Sequence, residues 1–208
     1  MRAPPSIIHA VGAGAVIVGR ARSVRACRRR QRVGVKSLAF AADEADGGDM
    51  DPHRTDDGHH VIIDGRRWRA TDPAIPESFR QELVEELMSA RRAVKTGESD
   101  ARRRVRDAKT ALGERGAPWW DERSGADFDE RIAAAVRALV RKRQGSSICP
   151  SDVARTVGAH SWRSIMDDVR RVTARLADEG QVIVTQKGEP VRIADARGPV
   201  RIVRGPDL

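Results

Sequence analysis

Between Pro76 and Gly97 apolar residues recur every three or four positions: Phe79, Leu83, Leu87 and Val94, with Val84 and Met88 beside them. That is the spacing of one helix face. Pro76 suits the first helical position, Glu77 complements the positive N-terminus, and Gly97 can close the far end. A second, thinly apolar helix is expected to run from a Ser99 cap to about Leu112, with Gly113 as its stop. Its stripe is Val105, Ala108 and Leu112, and it should fold back on the first as an antiparallel pair. Ahead of the pair, residues 61–63 and 66–69 flank Asp64-Gly65, the favoured dipeptide of a two-residue type I′ hairpin.

A linker around Ser124-Gly125 leads into "DFDERIAAAVRALVRKR", where Phe128, Ile132, Val136, Leu139 and Val140 form one face. Asp127 and Glu130 stand three apart, the spacing of a capping box. Pro150 opens a short helix ending at Gly158, and residues 158–161 read as the tight turn of a helix-turn-helix. Ser161 is the expected cap of a third helix, whose stripe is Trp162, Ile165, Val169, Val172 and Leu176 and whose end is Gly180. Trp162 is therefore expected in the core. "QVIVTQ" reads as a strand, Lys187-Gly188 as a turn and "PVRIV" as a returning strand. Three helices followed by a β-hairpin is the winged-helix order. The predicted fold is thus α+β and mostly α: a small β-hairpin plus helical-hairpin domain over residues 50–123, then a winged helix-turn-helix domain over 124–208.

Composition modifies this picture in two places. The formal charge of +9 points to an anionic partner, but its distribution is uneven. Residues 1–49 carry nine basic and four acidic side chains, residues 50–125 fifteen of each, and residues 126–208 fifteen against eleven. Arg outnumbers Lys by 34 to 5, a bias that fits a GC-rich genome better than selection for phosphate binding. The leader 1–49 contains "SIIHAVGAGAVIVG", too short and glycine-rich for a membrane span, which needs ~20 apolar residues. "RARSVRACRRRQR" follows where a secretory signal needs small residues for cleavage. An organelle transit peptide or a basic tail would share this composition. The plainest reading makes 1–49 a disordered leader or a mis-assigned start, with the folded protein beginning at Met50 in the cytoplasm.

Candidate chemistry is sparse. Cys27 and Cys149 are the only cysteines, so there is neither a disulfide framework nor a zinc spacing. Cys149, at a helix start, is either a reactive thiol or a small buried hydrophobe, the commoner case. His53, His59 and His60 lie among acids in "DPHRTDDGHH", read as a polar tail rather than a metal site because metal ligands need rigid support. "RRWR" and "ARRRVRDAK" could grip phosphates and stack on bases, or simply be solvated surface. Trp119-Trp120 reads as the seal of a small core. No paired carboxylates, phosphate loop or nucleophile elbow appears, so neither an enzyme nor a cofactor or metal is expected.

Two resemblances rest on longer motifs. Residues 128–203, with "CPSDVAR", "W..IM..VR.V...LA..G" and "VTQKG.PV....ARGP", resemble a bacterial family catalogued as a domain of unknown function. That resemblance implies a winged helix. Residues 61–120, with "DGRRWRATDPAIP", "ELV.ELM.ARRAV" and "DAKTALGERGAPWW", resemble a short actinobacterial protein sometimes labelled a Tol-type biopolymer transporter. Neither resemblance supplies functional residues.

The leading functional expectation is therefore drawn from the fold: the third helix enters the major groove of duplex DNA and the hairpin lies on the backbone. Its outward face would present Ser161, Arg163, Ser164, Asp167, Arg170, Arg171 and Ala174, with Lys187 and Arg192 on the wing. The arginines suit guanines or phosphates, whereas Asp167 and Asp168 repel phosphate. The alternative is a non-enzymatic adaptor that uses the same surface for a protein partner or an RNA-associated complex. An envelope or transport component, as the second label suggests, is a third reading. Because residues 1–49 lack periodic apolar spacing, a chain beginning at Met50 is expected to match the full-length chain in its urea-unfolding midpoint. A clearly lower midpoint would mean that the leader packs on the body.

Overall fold

In a computed structural model of the chain the described residues are 53–122 and 124–208, so the expectation for 1–49 lies outside them. Asp64 and Gly65 both take positive φ, 51° and 71°, as a type I′ turn requires. They join β2 (His60–Ile63) to β3 (Arg66–Arg69), which pair antiparallel from His60↔Arg69 to Ile63↔Arg66. The segment read as a polar tail is also ordered. β1 (His53–Arg54) adds to the other side of β2, so the sheet runs β1-β2-β3. Thr55 holds that reversal: its amide donates to the His60 carbonyl at 3.0 Å and its hydroxyl to Asp57 at 2.5 Å. The His59 ring stacks on Trp120, with centroids 4.0 Å apart, and the Trp119 indole N–H donates to the Ala70 carbonyl at 3.0 Å. The tryptophan pair thus closes the sheet onto the 113–122 loop, which Arg69 also holds by donating to the Gly116 carbonyl at 2.7 Å.

α1 (Glu77–Thr96) ends at Gly97, as its pattern predicts. Its buried face is Phe79, Leu83, Leu87, Ala90 and Ala93, and it includes Glu86, whereas Met88 and Val94 are exposed. α2 (Ala101–Ala111) folds back against α1. Asp100 rather than Ser99 precedes it, and no side chain caps it. Ala101, Ala108 and Ala111, all fully buried, let α2 lie close to its neighbours, which is why its stripe is so weak in the sequence.

α3 (Gly125–Lys142) starts two residues before Asp127, so the expected capping box does not form. This helix is buried nearly all round and contacts α1 and α2 as well as the elements that follow. α4 (Pro150–Gly158) keeps the predicted ends and leads into a 3₁₀ turn (Ala159–Ser161). α5 (Met166–Asp178) then begins five residues later than the expected Ser161 cap. Ala159 takes the positive φ of this turn, 49°, and Gly158 leaves room for the turn to pack. A Cβ at that position would stand 2.6 Å from Ile165 Cδ1, so Ile165 occupies the space a side chain would need. Ile165, Val169, Val172 and Leu176 are buried as expected.

β4 (Val182–Gln186) turns at Lys187-Gly188 into β5 (Glu189–Pro190), and β6 (Arg201–Arg204) pairs with the other edge of β4. Ile148 exchanges two 2.9 Å backbone hydrogen bonds with Ile202, tying the α3–α4 connection to this second sheet. Among the described residues the architecture is therefore α+β, with five α-helices and two three-stranded sheets. No helix among them is long and apolar enough to cross a membrane.

One apolar cluster runs from Ile75, Phe79 and Leu83 through Leu112, Ile132 and Val136 to Leu176, Ile202 and Leu208. Ion pairs cross the same interior. Asp72 meets Arg131 at 2.7 Å, Asp107 meets Arg141 at 2.6 Å, and Glu86 meets Arg104 at 2.8 Å. At the end of α3, Arg143 holds Glu82 and Lys142 holds Glu85, both at 2.7 Å. Burial draws the Arg141 guanidinium below its usual range, and Asp107 opposes that shift. Arg141 Nε and Nη2 are buried without a hydrogen-bond partner, so Asp107 supplies the compensation for this charge. Asp107→Ala is expected to lower unfolding stability by about 3–5 kcal/mol, because an unpaired charge stays buried. Replacing Arg141 and Asp107 together by Met and Leu should recover most of that loss in the same urea titration.

Candidate nucleic-acid interface

The residues expected to form the interface fall into two groups. Arg163, Lys187 and Arg192 are exposed, and none has a carboxylate within ion-pair distance among the described residues. Lys187 sits at the hairpin tip with φ 55°, and its side chain is exposed. Arg163 lies not on α5 but in the turn before it, its guanidinium 4.3 Å from the centroid of the Trp162 ring. Arg155 of α4 approaches the same ring at 4.9 Å. Trp162 is half-buried rather than fully buried, packing one side on the core while two cations contact its ring. Each such contact contributes on the order of 0.5–1 kcal/mol at an exposed site.

Ser161 and Ser164 shape this turn. The Ser161 carbonyl accepts from the Ser164 amide at 3.0 Å and from the Ser164 hydroxyl at 2.8 Å. Neither serine caps α5, because the helix starts at Met166.

The second group is engaged inside the protein. Arg170 donates to the carbonyls of Ile193 and Ala196 at 3.2 and 3.0 Å, latching the 191–200 loop to α5. Beneath that loop Val184, Ile193 and Val200 form a separate small core. Arg171 makes a two-pronged contact with Asp129 of α3 at 2.6 and 2.7 Å and a third with Asp168 at 2.9 Å. These carboxylates raise the Arg171 pKa further, and Arg171 holds the Asp129 carboxyl below its usual range. Asp167, next along α5, is exposed.

Arg155 was missed by sequence reasoning. It is an outward position one turn before Gly158, but its contribution depends on Trp162, which the stripe had placed inside. The arrangement from α3 to β6 is thus a helical layer closed by a small sheet, with cations at the α4–α5 turn and on the hairpin. Residues 129–205, which cover this arrangement except the first turn of α3, match the profile of a family described as "Protein of unknown function (DUF3253)". No curated protein matches the chain.

The Asp129–Arg171 contact makes the α3–α5 junction sensitive to acid. A carboxyl whose pKa is lowered by folding contributes stability that is fully present above its ordinary value of 3.8. That contribution is lost as pH falls through the lower folded value. Asp129→Asn should therefore lose less stability than wild type on the acid limb of a series of urea titrations, and the two curves should converge at the lowest pH.

Proposed function

We propose that residues 124–208 act as a winged-helix module that binds duplex DNA. The observation that carries this reading is the set of exposed cations without carboxylate partners, Arg163 before α5 and Lys187 and Arg192 on the wing. The order α3, α4, α5, β4, β6, with Ile148 bridged to Ile202, supports the winged-helix assignment. In this reading α5 lies in the major groove and the hairpin follows the backbone. Arg163 and Lys187 meet phosphates. Arg170 and Arg171 are positioning residues: one sets the wing loop against α5, and the other fixes α5 on α3. Asp167, at the start of α5, opposes phosphate and suits a cytosine amino group instead.

A second reading, a protein-binding or RNA-associated adaptor on the same surface, is favoured by one observation. Asp129 and Asp168 neutralise Arg171 and Asp167 stands exposed beside them, so this face of α5 is not uniformly positive.

Fluorescence anisotropy of a labelled duplex, titrated with the protein across a salt series, separates these readings. Arg163→Ala with Lys187→Ala should weaken binding and flatten the dependence of log affinity on log salt by about 1.8, from ~0.9 per phosphate contact. Asp167→Ala should tighten non-specific binding. Absence of duplex binding by the wild-type chain at low salt would overturn the DNA reading and leave the adaptor.

A further inference from the structure

The β1–β2–β3 sheet carries a second surface, formed by different elements from the α5 face. Strand alternation and the observed register put Arg54, Val61, Ile63, Arg66 and Trp68 on one face. That face floors a groove of about 740 Å³, whose walls include Arg91 of α1 and Lys109 of α2. The size lies within the ~300–1,000 Å³ of ligand sites. On the opposite face Arg69 and His60 pack with Trp120, while Ile62 and Arg67 stay exposed.

Trp68 is 48% exposed and Ile63 47%. The other three tryptophans are all partly buried. Lys109 Nζ lies 5.8 Å from the Trp68 ring centroid, and no aromatic ring covers Trp68 among the described residues. Arg54, Arg66 and Arg91 have no carboxylate within ion-pair distance among the described residues. Two acids line the groove. Glu114 is engaged by Lys109 at 3.6 Å and by the Thr71 hydroxyl at 2.9 Å, and Asp64 sits at the hairpin tip.

A half-exposed indole bordered by guanidiniums without carboxylate partners suits a ligand that offers a planar π face and anions spaced along a chain. Duplex DNA does not offer it, because its bases are stacked inside. A run of acidic residues alone would satisfy the cations but not the ring. We infer that this groove binds single-stranded nucleic acid, one base stacking on Trp68 against Val61 and Ile63 while flanking phosphates meet Arg54, Arg66 and Arg91. Aromatic stacking with a basic border is how sequence-tolerant single-strand sites work. This inference does not rest on the duplex reading of α5.

The test is anisotropy of the full chain with fluorescein-labelled oligo(dT) and oligo(U) of about 12 nucleotides. Wild type should bind at least one of them in a salt-dependent manner; a preference between the two identifies DNA or RNA as the source of the strand, and either supports the site. Trp68→Ala should weaken binding roughly five- to hundred-fold, the range expected for one stacked base. Trp68→Phe should restore most of it, and an unchanged melting temperature in both variants would show that the fold is intact. Arg54→Ala with Arg91→Ala should flatten the salt dependence by about 1.4, from ~0.7 per single-strand phosphate contact. Arg163→Ala with Lys187→Ala should leave oligonucleotide binding unchanged, which separates this site from the α5 surface. The inference is overturned if wild type binds neither oligonucleotide, if Trp68→Ala binds as well as wild type, if the Arg163 and Lys187 changes abolish binding, or if poly-glutamate binds with the same dependence on Trp68.

Discussion

The contact between Asp107 and Arg141 sits where the helical hairpin meets α3, and the arrangement of both halves depends on it. The two side chains are 1% and 3% exposed, so neither charge has water to fall back on. Buried pairs of this kind add little net stability over an apolar substitute, yet they penalise every packing that separates the partners. Two of them lie on α3, where Asp72 holds Arg131 and Asp107 holds Arg141, and the partly exposed Glu82–Arg143 pair follows just past its end. A helix turns about 100° per residue, so slipping α3 by a single position would pull both buried pairs out of register at once. The alanine-lined face of α2 tolerates sliding; the ion pairs do not.

This also changes the meaning of the charge balance. Residues 50–125 are formally neutral, but Asp72, Glu86 and Asp107 are turned inward. The arginines of the same segment, Arg54, Arg66, Arg91, Arg102 and Arg103 among them, are left on the outside. The surface of this half is therefore more basic than its formula.

What could be read from the sequence was local. The Asp64-Gly65 turn, the stop at Gly97 and the bounds of α4 at Pro150 and Gly158 follow from backbone preferences of the residues themselves. Buried charge was not legible, because Glu86, Asp107, Arg131 and Arg141 look like surface letters until their partners are in place. The start of α5 was misplaced for a similar reason. Ser161 has the chemistry of a cap, but the fit of Ile165 against Gly158 decides where the helix begins. Among the residues expected to meet nucleic acid, the exposure of Lys187 follows from its place at a hairpin tip. The engagement of Arg171 depends on Asp129, 42 residues away, and that of Arg170 on carbonyls 23 and 26 residues away. Helical periodicity places these arginines outward but carries no information about such distant partners.

Gly158 turns a local fit into a lever. Ile165 rests in the space above it, α5 continues from Ile165, and Arg170 carries the 191–200 loop along with that helix. A methyl group at position 158 would stand 2.6 Å from Ile165 Cδ1, so Ile165 would have to shift, and with it the seat from which α5 and the 191–200 loop start.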